Sequence, residues 1–453
     1  MTSAPERPRT PEGTATDTGS GRAEAASAPP PPGTPAICRA PDQLTAPGPT
    51  TPGKPRGPGD TDTDGTRAEA AAPPPPPGTP AIPLRTAVCR APDEFAALGP
   101  AWNRLHRSCP PATAFQTHAW LHSWWLSYGV PGRLRLVLVW RGGDLVGAAP
   151  LMRVRRPYPV LVPLGGAITD YLDVLVDPGA DAAGEVTAAL ADGVRRAARG
   201  AVVDLREVRA GAAAEALYAC WRGPRRRLPD AVCLELPGVP MDELIARVGS
   251  SRGQRIRSAL RKLDAAGVVE RDVPAAQAPA AVAAILRLHL LQWRGRGVTP
   301  EHERPRFAAH LARAAQAMVA SGDAVLTEFA LGGEVVAVNL TVLSPGLAGG
   351  YLYGARPELR GTRVDLNTLL TRHGVRQAAG GGRATLSLLR GAEPYKSHWR
   401  PDHRANQRLL LAAGPAAPLL LVRYALARCR AAAGARPGLR ALRDRLRPRG
   451  AAR

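Results

Sequence analysis

Four side chains that could move protons lie close together towards the carboxyl end of the chain. They occur in segment 388–400, LLRGAEPYKSHWR, and are Glu393, Tyr395, Lys396 and His398. A carboxylate or an imidazole can take a proton from a nucleophile, and a phenol can return one to a leaving group. We therefore predict Glu393 or His398 as the general base of a transfer reaction and Tyr395 as its acid.

Lysine is rare in this chain, which draws attention to Lys396. The sequence has three lysines, Lys54, Lys262 and Lys396, among 60 basic residues. A lysine kept in so arginine-rich a chain indicates that its position requires a compact primary ammonium. Two interpretations of Lys396 stay open: it orients a carboxylate or phosphate of a ligand, or it forms a salt bridge that holds the end of the preceding strand.

A second segment, 354–370 with the sequence GARPELRGTRVDLNTLL, could bind phosphate. It joins a predicted strand, 347–353, to a helix predicted from Asp365, and the free amides at a helix start favour an anion. Arginine pairs with phosphate, and glycine lets the backbone approach a ligand closely. The candidate residues are Arg360, Gly361, Arg363 and Asn367. The alternative is a solvated loop in which Asp365 caps the helix.

The elements that would position these segments occur twice along the chain. In the first half we predict helices over 93–107 and from Thr117, a hairpin of 134–140 and 144–154, a strand at 170–176, a helix over 181–199, a strand at 201–208, a helix near 212–221 and a strand at 231–236. In the second half we predict helices over 241–248, 251–266, 279–293 and 306–320, a hairpin of 325–331 and 334–343, the strand 347–353, the helix from Asp365 and a strand at 384–389. Residues 142–146 echo 332–336, and 193–198 echo 374–379. Echoes in the same order indicate two copies of one α/β unit, with chance similarity as the alternative.

Five segments carry a family resemblance: AFQTHAWLHSWW (114–125), GGDLVGAAPLMR (142–153), DYLDVLVDP (170–178), SSRGQRIRSALRKLDAAG (250–267) and RGAEPYKSHW (390–399). Together they resemble the CelD-type acetyltransferases, a branch of the GNAT superfamily associated with polysaccharide biosynthesis. They are more distantly similar to the FemABX-type peptidyl transferases. That branch usually has an acidic residue after the glycine of the last segment, where this chain has Ala392.

The resemblance, which spans about residues 85–410, implies an α/β fold of two tandem GNAT-like units with mixed central sheets flanked by helices. It implies transfer of an acyl group, expected to be acetyl, from acetyl-CoA or another acyl-CoA. The acceptor would be an amine or hydroxyl of a small molecule, a saccharide or a cell-envelope component, and no metal is expected. The alternatives are an aminoacyl transferase that uses aminoacyl-tRNA, and a non-catalytic binding protein of the same fold.

The first half has no counterpart of the segment around Lys396, so we expect it to be structural or to bind the acceptor. FemABX-type proteins that hold tRNA often carry an inserted coiled-coil arm, and this sequence has no sustained heptad run. That difference favours CoA over tRNA as the donor carrier.

The composition limits the partners. A formal charge of +22 would suit nucleic acid, but arginine, alanine, glycine and proline are abundant together, which indicates GC-rich coding. We therefore expect no specific nucleic-acid partner. The six cysteines form no CxxC pair, and no apolar run approaches the roughly 20 residues of a membrane span. The sequence predicts a cytoplasmic protein.

The segments at both ends differ from the rest. Residues 1–84 are rich in proline and contain a near-duplication, which predicts a disordered arm that is either a lengthened tail or a partner-binding segment. We predict an N-terminal half at 85–238 and a C-terminal half at 239–412. The basic tail, 413–453, is either a charged end or a peripheral contact with anionic membrane. No motif indicates an oligomeric state.

The segment 250–267 is a further basic stretch and predicts one helix. Its arginines form either a solvated face or a clamp for an anionic acceptor or for the phosphates of CoA.

Overall fold

Both predicted hairpins are present, and each turns at two glycines. The computed structural model describes residues 82–155, 157–294, 299–391 and 393–435, and of residues 394, 395 and 432–435 it describes the backbone alone. Gly142 and Gly332 have φ of 58°, a left-handed conformation that glycine adopts without steric penalty. Residues 1–81 of the predicted arm and 436–453 of the predicted basic tail lie outside these residues, whereas Leu84, placed in the arm by the prediction, begins the first strand, and 417–435 of the tail form a helix.

Thirteen strands lie in the described ranges: β1 (Leu84–Cys89), β2 (Leu134–Arg141), β3 (Asp144–Arg155), β4 (Pro159–Pro163), β5 (Leu175–Val176), β6 (Val202–Val208), β7 (Arg225–Pro237), β8 (Val269–Asp272), β9 (Ala324–Leu331), β10 (Glu334–Ser344), β11 (Leu347–Ala355), β12 (Thr385–Arg390) and β13 (Asp402–Ala412). The α-helices of the same ranges are α1 (Pro92–Ala97), α2 (Gly99–Ser108), α3 (His118–Tyr128), α4 (Glu185–Ala197), α5 (Ala213–Cys220), α6 (Met241–Ala246), α7 (Ser250–Ala266), α8 (Ala278–Trp293), α9 (Pro305–Ser321), α10 (Leu366–Ala379) and α11 (Ala417–Ala435). None of these helices has the length and apolar character needed to cross a membrane.

The strands join into one mixed sheet with helices packed on it. Its order is β1-β2-β3-β4-β6-β13-β7-β12-β11-β10-β9-β8, and β5 pairs with β3 outside this order. Each half contains one parallel pair, β4 with β6 and β11 with β12, and each pair is connected through a helix, α4 or α10. This repetition agrees with the predicted α/β architecture of two tandem units.

The two halves exchange their last strands. β7 of the first half lies between β12 and β13, and β13 of the second half lies between β6 and β7. The pairings include Leu386 with Leu236 and Leu410 with Asp204. The proposed halves 85–238 and 239–412 are therefore held together by backbone hydrogen bonds as well as by packing.

A backbone feature also repeats. Glu207 in β6 and Leu389 in β12 both have positive φ, 53° and 56°, and each is the last but one residue of its strand. Such a conformation is rare for residues other than glycine and stores about 1–3 kcal/mol of strain. Its presence at matching places supports a duplicated unit.

The aromatic helix lies at the interface of the halves, as part of the core. Trp120, Trp124 and Trp125 of α3 are buried, and α3 packs against α9 of the second half. Ser123 Oγ donates to the carbonyl of His310 at 2.8 Å. The start of α3 matches the prediction, because the Thr117 side chain accepts from the amide of Trp120.

Several local predictions were wrong. The helix predicted over 93–107 is interrupted at Leu98, where the following Gly99-Pro100 begins a second helix with proline in its first turn. Of the strand predicted at 170–176, two residues pair, because Asp173 instead accepts backbone hydrogen bonds at the start of α5. The strands β1, β4, β8 and β13 were not predicted.

Candidate functional site

β11 and β12 separate after a short parallel contact. They pair from Leu347–Thr385 to Gly349–Ser387, although β11 continues to Ala355. A narrow cavity of about 80 Å³ lies in the gap, covered by α10, and we call it the channel. Its lining residues from the two strands are Gly350, Tyr353, Leu386, Ser387 and Leu388.

An open cleft of about 590 Å³ lies at one end of the channel, and we call it the outer cleft. Asn367 lines both spaces. The cleft brings together the predicted Arg360, Arg363 and Asn367, whereas Gly361 is exposed beside it and does not line it. Arg255 and Lys262 of the basic helix α7 line the opposite wall. The outer cleft is therefore basic, which suits phosphate groups.

The helix start at the outer cleft is partly occupied. The Asp365 carboxylate accepts from the amide of Thr368 at 2.6 Å, so the predicted cap is confirmed. Arg356 is paired with Glu334 at 2.6 Å. Among the described residues, neither Arg363 nor Lys262 has an ion-pair partner, so their charges remain available to a ligand.

A larger cavity of about 560 Å³ lies at the other end of the channel, and we call it the inner cavity. Gly350, Tyr353, Leu388 and Lys396 line both the channel and the inner cavity. The shared lining residues therefore place the three spaces next to one another in the order outer cleft, channel and inner cavity.

Lys396 is buried at the junction of the channel and the inner cavity, with an exposed fraction of 8%. Its ammonium donates to the carbonyls of Arg390 and Gly391 at 2.9 and 3.3 Å, and Nζ lies 2.8 Å from Oε2 of Glu393. The contact with Glu393 is an ion pair without hydrogen-bond geometry. These contacts match the interpretation of Lys396 as the residue that holds the end of β12.

The other residues of that segment differ in position. Glu393 lines the inner cavity. His398 is exposed on the 3-10 helix Pro394–Trp399 and does not line the cavity. The side chain of Tyr395 lies outside the described part of the chain. The structure therefore brings Glu393 and Lys396 together and leaves His398 apart.

Arg390 forms a buried network that the sequence did not indicate. Its guanidinium pairs with Asp170, contacts Glu207 at 3.3 Å and donates to the carbonyl of Ala167 at 2.6 Å. Asn406 donates to Glu207 at 3.1 Å. Burial raises the pKa of Asp170, while Arg390 opposes that rise. Residues from the first half thus form one wall of the inner cavity, and no local pattern could relate Asp170 to Arg390, 220 residues apart.

Two histidines on another wall were also missed. Nδ1 of His289 lies 2.9 Å from the carbonyl oxygen of Tyr353, and Nε2 of His289 lies 3.2 Å from Nδ1 of His302. The His302 ring stacks on Phe307 at 4.8 Å. Burial lowers the pKa of both, that of His302 to about 4, with the neighbouring His289 adding to the effect and Glu301 opposing it.

A bulge in β11 lies beside these histidines. The register between β10 and β11 shifts between Leu340 and Thr341, so Tyr351 is an extra residue in β11. Its hydroxyl donates to the carbonyl of Ile168 at 2.8 Å. Tyr351 thus has no register partner in β10, and it lines the inner cavity.

The equivalent place in the first half is filled by the chain itself. β4 and β6 also separate after a short contact, but the amide of Leu172 donates to the carbonyl of Glu207 across the gap at 3.0 Å. At the start of α4 the Asp181 carboxylate accepts from the amides of Val186 and Thr187. A carboxylate of the protein thus occupies the place that a phosphate would take.

The described residues contain no group of three or more His, Cys, Asp or Glu placed to hold a metal ion. The arrangement that stands out is instead a basic outer cleft, a narrow channel and an inner cavity with proton-accepting groups. Such a path suits an elongated ligand with phosphates at one end and a reactive group at the other.

Comparison with known proteins agrees with this architecture. Residues 250–397 match the family described as Acetyltransferase (GNAT) domain. The fold is similar to the crystal structure of FemX, with 14% identity over 74% of this chain and 99% of that chain and a TM-score of 0.52. No curated protein matches the chain. The predicted fold, two tandem GNAT-like units, is confirmed, and the domain match indicates an acyltransferase.

Two further structures cover similar portions of the chain. The C-terminal domain of a putative lysylphosphatidylglycerol synthetase from Agrobacterium fabrum is 12% identical over 72% of this chain and 95% of that chain, with a TM-score of 0.47. A tandem GNAT protein from the clavulanic acid biosynthesis pathway is 17% identical over 73% of this chain and 99% of that chain, with a TM-score of 0.36.

Proposed function

We propose that the protein transfers an acyl group, in the first instance acetyl, from acyl-CoA to an amine or hydroxyl of a small molecule, a saccharide or a cell-envelope component. The observation that supports this most is the succession of three adjoining spaces, the outer cleft, the channel and the inner cavity. CoA has phosphates at one end, a thin arm and a thioester at the other end. The three spaces match these three parts in order.

The outer cleft would hold the phosphates. Arg360 and Arg363 approach from the loop before α10, while Arg255 and Lys262 approach from α7. Salt bridges with phosphate are strengthened when several donors converge, and exposed ones weaken as salt rises. Asp365 makes the helix start itself less favourable for an anion, so the proposal assigns most of the attraction to these side chains.

The channel would hold the arm of CoA, and the reaction would take place where it meets the inner cavity. The thioester carbonyl would lie near the bulge at Tyr351, whose backbone amide is a candidate oxyanion donor. Glu393 and Lys396 would lie beside the acceptor. The inner cavity, at about 560 Å³, is within the usual range of small-molecule sites of about 300–1,000 Å³.

Replacement of the two charged residues tests this proposal. We expect Lys396→Ala and Glu393→Ala each to lower the release of CoA from acetyl-CoA. Glu243→Ala, on the exposed side of α6, is the control. Melting curves establish that the variants are folded, and unchanged turnover in both folded variants would remove these residues from the reaction.

The aminoacyl-transferase alternative predicts a different donor. The similarity to FemX and the basic charge favour it, and the FemABX-type transferases of the sequence resemblance imply a tRNA-bound donor. The channel favours CoA as the donor, because a space of about 80 Å³ suits a thin flexible chain and not a bulky nucleotide. We propose CoA on that basis, and we keep the CelD-type branch as the proposed affiliation within GNAT.

A peripheral membrane contact is a second proposal and rests on α11. Leu421, Val422 and Leu426 are exposed on this helix, with exposed fractions of 54%, 49% and 41%. The following residues are rich in arginine, and such a combination binds anionic bilayers. We expect the protein to float with vesicles that contain phosphatidylglycerol and not with neutral vesicles, and Leu421→Glu to abolish flotation. Failure to float with either vesicle would exclude this contact.

A further inference from the structure

The two histidines of the inner cavity form a directed hydrogen-bond chain. The carbonyl oxygen of Tyr353 can only accept, so Nδ1 of His289 must carry the proton of their 2.9 Å contact. In neutral His289 the other nitrogen, Nε2, then has a lone pair. The proton in the 3.2 Å contact must therefore lie on Nδ1 of His302.

This chain of donors leaves one nitrogen without a proton. When Nδ1 of neutral His302 carries the hydrogen, Nε2 has the lone pair, and no described residue donates to it. His302 lines the inner cavity together with His289. We propose that Nε2 of His302 is the general base that removes the proton from the acceptor, and that His289 is a positioning residue that fixes its tautomer. This inference rests on the proposed acyl transfer.

The reaction can be written with its atoms in balance. The amine nitrogen or hydroxyl oxygen of the acceptor attacks the thioester carbonyl carbon and forms a new C–N or C–O bond. Nε2 of His302 takes the proton from the attacking atom. The C–S bond breaks, and the CoA sulfur leaves as a thiolate that recovers a proton from His302 or from water.

The surroundings keep His302 in its neutral form, with the lone pair of Nε2 free of a proton. Burial and the neighbouring His289 lower its pKa to about 4, while Glu301 opposes that effect. Glu301 is itself held by Arg306 at 2.7 and 2.8 Å and by Tyr128 at 3.0 Å. The face of His302 rests on the apolar ring of Phe307. A neutral imidazole is therefore present throughout the physiological pH range.

A second polar atom on this wall has no partner among the described residues. Nε1 of Trp293 is buried and makes no hydrogen bond with the described residues, although Trp293 lines the inner cavity. Buried donors normally have partners, so a bound acceptor with an oxygen near the attacking atom would satisfy it. The wall thus offers one proton acceptor and one donor to the same ligand.

His302 is better placed to act as the base than the groups predicted from the sequence. His398 is exposed away from the cavity. Glu393 lies 2.8 Å from Lys396, and a proton on that carboxylate would leave a buried ammonium without its counter-charge. The lone pair of His302 takes part in no ion pair among the described residues.

The test uses the full chain, acetyl-CoA and ethanolamine, which offers one amine and one hydroxyl. We expect His302→Gln, which can still donate to His289, to lower CoA release by about 100-fold or more, as for the loss of a general base. His122→Gln, a partly buried histidine outside the cavity, is the matched control, and His398→Gln should have no effect. Imidazole in the buffer should restore CoA release to His302→Gly.

A readout that a purely structural role would not change is the pH dependence. We expect the rate of CoA release by the wild type to fall on the acid side near the lowered pKa of His302. In His289→Gln this fall should move to higher pH, because His289 no longer lowers the pKa of His302. The imidazole nitrogen shifts in NMR should show the Nδ1–H form of both histidines at pH 7.

Each outcome decides between the two proposals. Equal CoA release by wild type and folded His302→Gln, or a protonated His302 at pH 7, would refute the base and leave acyl transfer intact. A wild-type protein that binds acetyl-CoA in calorimetry but releases no CoA above the protein-free rate would refute the proposed acyl transfer and, with it, the base. Absence of acetyl-CoA binding would likewise refute the proposed function.

Discussion

Gly350 offers a way to block the channel without disturbing the fold. It lines both the channel and the inner cavity, and a Cβ placed on it meets no atom within 4 Å. Its φ does not lie in the left-handed region, so another residue can adopt it. The substitution Gly350→Leu therefore adds a side chain into empty space inside the path that CoA would use.

The expected size of the effect follows from the dimensions of the channel. The channel is narrow, at about 80 Å³, so a leucine side chain on its lining would obstruct it. Displacement of a reacting group by about 1 Å can lower a rate by about 100-fold. We expect kcat/KM for acetyl-CoA to fall by at least about 100-fold, or about 2.7 kcal/mol.

The stability of the same variant should change little. Substitutions without steric conflict usually stay within about 0.5 kcal/mol, and loss of a glycine reduces the freedom of the unfolded chain. Gly346→Leu is the matched control, because its Cβ also meets no atom within 4 Å and it lines none of the three spaces. CoA release by thiol titration and melting curves measure both effects. A folded Gly350→Leu protein with wild-type turnover would refute the path.

Three other predictions concern stability and charge. Asp204 is fully buried between Arg408 and Arg423, with contacts of 2.6–2.9 Å. Burial alone would raise its pKa, but the two arginines outweigh burial and lower it. Because removal of the carboxylate would leave both arginines without their partner, Asp204→Ala should destabilise the protein by about 3–5 kcal/mol in urea unfolding. Burial lowers the pKa of His310 to about 3. As the pH drops, His310 therefore takes up a proton in the unfolded state before it does so in the folded state, and the free energy of unfolding should fall between about pH 6.5 and pH 3. The fall should be less steep in His310→Gln. Arg255→Glu should weaken acetyl-CoA binding and reduce its salt dependence in calorimetry.

Each of these has a control and a contradicting result. Asp192→Ala removes an exposed pair and should cost less than about 1 kcal/mol, and an equal loss from both aspartates would contradict the buried network. The same acid slope in wild type and His310→Gln would contradict the burial argument. Salt-insensitive binding by the wild type would contradict a phosphate site in the outer cleft.

Local signals predicted the parts of the structure that depend on neighbouring residues. The glycine pairs identified both hairpins, and the apolar spacing after Thr117 identified α3. The alternative that Asp365 caps a helix, raised beside a phosphate site, is correct for the cap. The basic character of segment 250–267 was also visible in the sequence, but its position beside the loop before α10 depends on packing that no local pattern encodes.

Long-range features could not be predicted in the same way. β13 pairs with β6 and β7, about 200 residues earlier in the chain, and nothing in 402–412 encodes that choice of partners. His289 and His302 lie 13 residues apart, on α8 and on a short turn beyond its end, a spacing that matches no motif. Their meeting depends on how α8 and the following turn pack against β11.

Calorimetric titration of the full chain with acetyl-CoA, and separately with total tRNA, tests the central claim most directly. We predict one molecule of acetyl-CoA bound per chain, with an affinity that falls as salt is raised and that is lost in Gly350→Leu. Binding of tRNA without binding of acetyl-CoA, or acetyl-CoA binding that Gly350→Leu leaves unchanged, would contradict it.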